Sequence, residues 1–186
     1  MQFLLTLLNA QARLDLPYDL MGWLGWFLLA ILIVIGLWRS WEQSSFTPVR
    51  KWVFLVILGA LTIFTSLFFG MRLSNQNVLP IPGIPVESSV PYWMFFQAVP
   101  WMLAAGWIGP WGAVLVAGFN GLLAGIWGTH HTFTMLELAA SAFIFSQLTR
   151  QRYASRSYQV LRHPFVAALM LAGMSVPLYL TTALFI

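Results

Sequence analysis

LMGWLGWFLLAILIVIGLW, residues 20–38, runs for nineteen positions without a charged side chain. A helix of about 20 apolar residues matches the ~30 Å hydrocarbon layer of a bilayer. The same character extends along the rest of the chain. Of 186 residues, 60% are apolar and only 8% are charged, nine Lys or Arg and five Asp or Glu. Soluble domains carry about 25% charge. A soluble single-core protein, a disordered chain and a collagen-like repeat are thereby excluded. The fold expected is all-α: a polytopic transmembrane helix bundle of about six spans, forming one domain over residues 1–186.

Apolar runs and breakers place the spans at about 20–38, 52–70, 91–108, 111–127, 134–148 and 164–186. The third is short and interrupted by Pro100, and Gly109-Pro110 forms a tight turn after it. An alternative folds Pro91–Trp127 as a re-entrant hairpin, with that turn inside the membrane. Between the second and third spans, Arg72–Val90 holds Pro80, Pro82, Gly83 and Pro85 and reads as a stiff extended loop. Ahead of the first span, Met1, Leu4, Leu5, Leu8 and Ala12 share one helical face, and Gln2, Thr6, Asn9 and Arg13 the other. That pattern suits an interfacial amphipathic helix over residues 1–14; a cleaved or frayed end is the alternative, although no basic residue precedes the apolar run.

Charge orients the bundle. With six crossings, Arg39, Arg50, Lys51, Arg150, Arg152, Arg156 and Arg162 gather on one side, seven of the nine basic residues. The positive-inside rule makes that side cytoplasmic and puts the N-terminus outside. Tryptophans, which favour the head-group layer, agree: Trp23, Trp26, Trp93 and Trp127 fall at the outer boundary, and Trp38, Trp41, Trp52, Trp107 and Trp111 at the inner one. Only Trp101 falls near mid-membrane. The net charge of +4 forms no basic stripe of the kind nucleic acid needs, so the expected contacts are lipid head groups. Without cysteine there are no disulfides, thiolate metal sites or cysteine nucleophiles.

Four residues are candidates for ligand binding: Glu137, Asn120, Gln97 and His130. Glu137 is the only acid placed within a span, where a carboxylate costs about 2.5–3.5 kcal/mol and usually marks function. The competing reading is structural: Thr134 and Glu137 match the Ser/Thr-x-x-Glu capping box, at the positive end of the helix dipole. His130 and His131 lie in the preceding outer connection, within a few residues of Glu137, and are candidates for a small polar cluster with it. Adjacent loop residues diverge, so a metal is not expected. His163 falls on the opposite face, ~30 Å away, so neither is a haem. Asn120 and Gln97 sit at depth, where such groups hydrogen-bond a ligand or bridge helices. Ala117, Gly121, Ala124 and Gly128 recur every three to four residues, suiting close packing within the bundle or a dimer face. No Gly-x-Ser-x-Gly, His-Glu-x-x-His, Walker or Gly-x-Gly-x-x-Gly motif occurs, and no enzyme or cofactor is expected.

Leu79–Tyr153 combines a proline-rich loop (Pro80-Ile81-Pro82-Gly83-Ile84-Pro85), the Gly109-Pro110-Trp111-Gly112 turn, a small-residue helix to Gly128, and a helix opening on Thr134 and Glu137 and closing on Arg150, Gln151 and Arg152. This stretch resembles the membrane-embedded, MASE-like input domains of bacterial sensor histidine kinases and diguanylate cyclases. The resemblance implies sensing of a small ligand or of membrane state, with Glu137 in the matching acidic position. It leaves open whether the chain is the input part of a longer protein or a stand-alone relative. The expected function is a sensory input module with an outer-facing cavity lined by Gln97, Asn120, His130 and Glu137. Its expected partners are the bilayer, a small-molecule ligand, and a second copy or a signalling subunit. The alternatives are a substrate-binding component of a transporter and a structural subunit of a larger membrane complex.

Overall fold

The computed structural model describes residues 14–41, 49–72, 92–94, 96–150, 160 and 163–183. The expected interfacial helix, the Pro80–Pro85 loop and most of the Arg150–His163 linker fall outside them. Among the described residues the α-helices are six: α1 (Leu20–Arg39), α2 (Val49–Phe68), α3 (Val99–Trp107), α4 (Pro110–Ala124), α5 (Phe133–Thr149) and α6 (Pro164–Ala183). A π-helical turn, Gly125–Thr129, continues α4. Three segments, Leu20–Arg39, Val49–Ser66 and Pro110–Thr129, are long and apolar enough to cross a membrane; Phe133–Thr149 and Pro164–Leu180 are shorter apolar helices.

The third span departs from expectation. Its helix begins at Val99, not Pro91, and at nine residues rises only about 13 Å, less than half a bilayer core. Proline explains the late start: it fits the first turn of a helix, where no N–H bond is required, but breaks an interior, and Pro100 lies in that first turn. Upstream, the chain is extended instead. Tyr92–Met94 (β2) pairs antiparallel with Gly70–Arg72 (β1), Met71 opposite Trp93. This ribbon is a small addition to an otherwise helical fold.

Alternation of helix direction follows from contacts at the two ends. The Asp15 N–H donates to the His130 carbonyl at 2.6 Å, so the start of α1 meets the start of α5. The Trp111 Nε1–H donates to the Leu37 carbonyl at 3.2 Å, so the end of α1 meets the start of α4. Arg150, just after α5, donates from Nε to the Ala105 carbonyl at 2.9 Å and from Nη2 to the Gly106 carbonyl at 3.0 Å, joining the ends of α5 and α3. The Gly109-Pro110 turn therefore lies at an end of the bundle, beside Leu37 and Arg150, and not at half depth as a re-entrant hairpin would put it. That end holds Arg39, Arg50, Lys51 and Arg150 among the described residues. Asp15, Asp19 and both loop histidines occupy the other.

Helix α5 is the axis of the structure: none of its seventeen residues is exposed, and α1, α3, α4 and α6 all pack on it. Small residues make this possible. One cluster joins α2–α6 around Trp101 and Phe145, whose rings meet edge-on at 5.8 Å, with Ala104, Ala117, Ala142 and Ala167 between them. A second seats Ile33 and Leu37 of α1 on Leu136, Ala139 and Ala140. On the outside, α1 exposes Leu24, Phe27, Leu28, Ile31, Leu32, Val34 and Ile35, and α6 exposes Phe165, Leu169, Met170 and Val176. Apolar patches this continuous are rare on soluble proteins. Together with the spanning lengths, they make this a membrane protein.

The small-residue face of α4 is used inside the bundle. A Cβ at Gly121 would stand 2.6 Å from the Met135 Cα and 2.8 Å from the Thr134 carbonyl oxygen. Both are α5 backbone atoms and cannot rotate aside. At Gly118, on another face, a Cβ meets nothing within 4 Å. Gly121→Ala is expected to force α4 and α5 apart and lower stability by about 1–3 kcal/mol. Gly118→Ala is expected to be neutral or stabilising by up to about 1 kcal/mol. Thermal unfolding of both variants in one detergent checks the contrast.

Candidate functional site

The polar residues singled out from sequence sit with three different sets of partners. Asn120, fully buried at 0% exposure, accepts from the Ser66 hydroxyl at Oδ1 (3.0 Å) and donates from Nδ2 to the Gln97 main-chain carbonyl at 2.6 Å. One side chain thus ties α4 to α2 and to the turn ahead of α3. The Gln97 carbonyl precedes a helix of half length and would otherwise need a donor in an apolar interior. This is the helix-bridging alternative of the two raised for Asn120, and it engages Gln97 through its backbone. Sequence reasoning had no means of assigning Ser66, one of several hydroxyls on α2. Its neighbours Thr62 and Thr65 bond their own helix carbonyls instead.

Glu137 is buried, at 7% exposure, in the second turn of α5. It is not a capping-box residue. The helix opens at Phe133 with Thr132 at its N-cap position, earlier than the Thr134–Glu137 pattern requires. The Thr134 hydroxyl is instead 2.6 Å from that of Thr129 at the end of the π-helical turn, and the Thr134 N–H donates to the His131 carbonyl at 3.3 Å. The wider π-turn shifts Thr129 back over the α5 start and displaces the expected cap. Glu137 also interacts electrostatically with Tyr179 of α6. Pro177 lies inside α6, two residues before Tyr179. A proline there removes an N–H and leaves the carbonyl four residues back without its helical donor. One turn further along α5, Ser141 is buried at 4% exposure and its Oγ has no hydrogen-bond partner.

His130 adopts a left-handed backbone, φ 60°, rare for residues other than glycine. Its backbone ties the loop to the segment ahead of α1: the carbonyl accepts from the Asp15 N–H, and the Thr132 N–H donates to the Asp15 carbonyl at 3.3 Å. Asp15 and His131 form an isolated parallel bridge. Asp15, Pro17, Tyr18, His131 and Thr132 border a shallow niche at this end. Among the described residues, no three His, Asp or Glu side chains converge as a metal site requires. The residues expected to line a single cavity have different partners: Asn120 bonds the Gln97 carbonyl, Glu137 interacts with Tyr179, and the His130 carbonyl accepts from Asp15.

At the opposite end, Arg150 caps α3. A guanidinium on the last carbonyls of a helix also complements the negative end of its dipole. Burial lowers the Arg150 pKa from its ordinary value, and arginine starts so high that the side chain stays charged.

No family model, curated protein or solved structure matches the chain, so the chemistry of these side chains carries the functional reading. For Asn120→Ala, loss of both bonds is expected to cost about 1–3 kcal/mol, measured by thermal unfolding, with Ser66→Ala costing less because the Gln97 carbonyl keeps its donor.

Proposed function

We propose that the protein is a multi-pass sensory input module of a bacterial inner membrane, its N-terminus outside, that responds to a small ligand or to membrane state at Glu137. The observation that carries this reading is a carboxylate buried in the enclosed helix α5. Intramembrane acids are costly and ordinarily serve function, and with the capping box unformed, helix capping no longer accounts for this one. Helix α5 runs from that acid to Arg150, which grips α3 at the basic end. An event at Glu137 that favours a second packing of α5 on α6 would be felt at Arg150 and in the basic linker after it. The ligand must distinguish the two packings to shift their populations.

The test is a high-resolution map of protein purified in native lipid, for the parent and for Glu137→Gln. Non-protein density against Glu137 in the parent, lost in a variant that unfolds at an unchanged temperature, is the expected result. No density in the parent, or a variant that no longer folds, contradicts a sensing role.

A second reading, the substrate-binding component of a transporter, is favoured by α3 alone. Half-length helices preceded by non-helical backbone border transport sites in many carriers. Uptake by vesicles, or stoichiometric recovery with an ATPase, would select it.

A further inference from the structure

We infer that the segment ahead of α1, residues 14–17, is a strap that holds the turn between α4 and α5 in a strained form and releases it as a unit. The turn is unfavourable in three places. Gly125–Thr129 is wound as a π-helix, a form that proteins use rarely, mostly as single turns at functional sites. His130 follows with φ 60°, a left-handed backbone in which the Cβ crowds the next carbonyl. Thr132 Oγ1 is buried with no hydrogen-bond partner, which destabilises a hydroxyl. Conformations of this kind persist only where the surrounding structure imposes them.

The strap is placed to impose this one. Asp15 makes a backbone bond on each side of His131: its N–H donates to the His130 carbonyl at 2.6 Å, and its carbonyl accepts from the Thr132 N–H at 3.3 Å. The two segments run parallel there, Asp15 opposite His131. One residue earlier, Leu14 seats on the π-helical turn. A Cβ at Gly125 would stand 3.2 Å from Leu14 Cδ1 and 3.1 Å from the His131 carbonyl oxygen. Glycine at that position therefore lets strap, π-turn and loop close on one another.

Release uncovers little apolar surface, because Leu14, Leu16 and Tyr18 are already exposed. Once the Asp15 bonds open, Gly125–Thr129 is free to take ordinary helical spacing and His130 to leave the left-handed region. That movement carries the Thr129 hydroxyl away from Thr134, 2.6 Å distant in the strapped form. It loosens the first turn of α5, just ahead of Glu137. The strap stands independently of the sensing role proposed above; only its reach to Glu137 rests on that role.

Amide hydrogen exchange, read residue by residue on the full chain in lipid nanodiscs, tests the strap. The Asp15 and Thr132 N–H groups are expected to share one protection factor, because a single opening exposes both, and it is expected to be at least about tenfold below that of residues 139–146 in α5. H130G, which removes the left-handed penalty, is expected to raise both protection factors about fivefold. L14A, which removes the contact with Gly125, is expected to lower both by about tenfold and that of Thr134 with them, leaving residues 139–146 unchanged. Unequal protection of Asp15 and Thr132 overturns the proposal, as does opening only together with residues 139–146. No gain in H130G would show that the strap stores no strain, and an unchanged Thr134 in L14A that it does not reach α5; either result also overturns it. Should L14A not fold, the parent and H130G decide.

Discussion

The Met135 Cα and the Thr134 carbonyl leave no room for even a methyl group at Gly121. That backbone-to-backbone approach of α4 and α5 is the constraint on which the rest of the bundle depends. It lets α5 sit between four other helices with no residue exposed. On the opposite flank, a Cβ at Gly36 of α1 would stand 2.7 Å from the Phe143 ring, so α1 also closes on α5 through a glycine. In a bilayer, lipid tails solvate leucine as well as another helix does, and association has to come from close contact and interhelical hydrogen bonds. Glycine supplies the first, and Asn120 and Trp111 supply the second.

An enclosed central helix changes the meaning of its polar residues. On α1 or α6, a carboxylate could reach the head-group layer by bending outward. On α5 it is surrounded by other helices, and Glu137 interacts with Tyr179 of the proline-interrupted α6. The same helix ends on Arg150, whose guanidinium serves two carbonyls of α3. On the proposed sensing function, a small change at Glu137 would reach Arg150 because packed cores rearrange between discrete arrangements and do not deform smoothly. The shortness of α3 contributes: it is held by Asn120 at its start and by Arg150 at its end.

How far the sequence reaches can be judged residue by residue. Uninterrupted apolar runs such as residues 20–38 declare themselves, because length and charge avoidance are set by the bilayer alone. Gathering of arginines at one end is equally legible, and the contacts of Leu37, Gly109 and Arg150 agree with it. The start of α3 is not legible: an apolar stretch from Pro91 reads the same whether helical or extended, and the pairing of β2 with β1 depends on residues far back along the chain. Nor is the displaced capping box, where the local spacing fits but the π-helical turn before it moves the helix start. Asn120 is visible as a polar residue at depth, yet its partners, Ser66 and a main-chain carbonyl, carry no sequence signal. Tyr179 and Glu137 meet only through the antiparallel packing of α5 and α6.

Among the described residues the bundle has two chemically distinct ends, one carrying Arg39, Arg50, Lys51 and Arg150, the other Asp15, Asp19 and the loop histidines. Because the chain has no cysteine, single cysteines can be placed without background and labelled with a membrane-impermeant thiol reagent in sealed vesicles of known orientation. Tyr18→Cys and Thr129→Cys are predicted to react from one side only, and Trp41→Cys and Val160→Cys from the other only. Labelling of Thr129→Cys and Trp41→Cys from the same side would contradict the arrangement of the bundle and, with it, the path from Glu137 to Arg150.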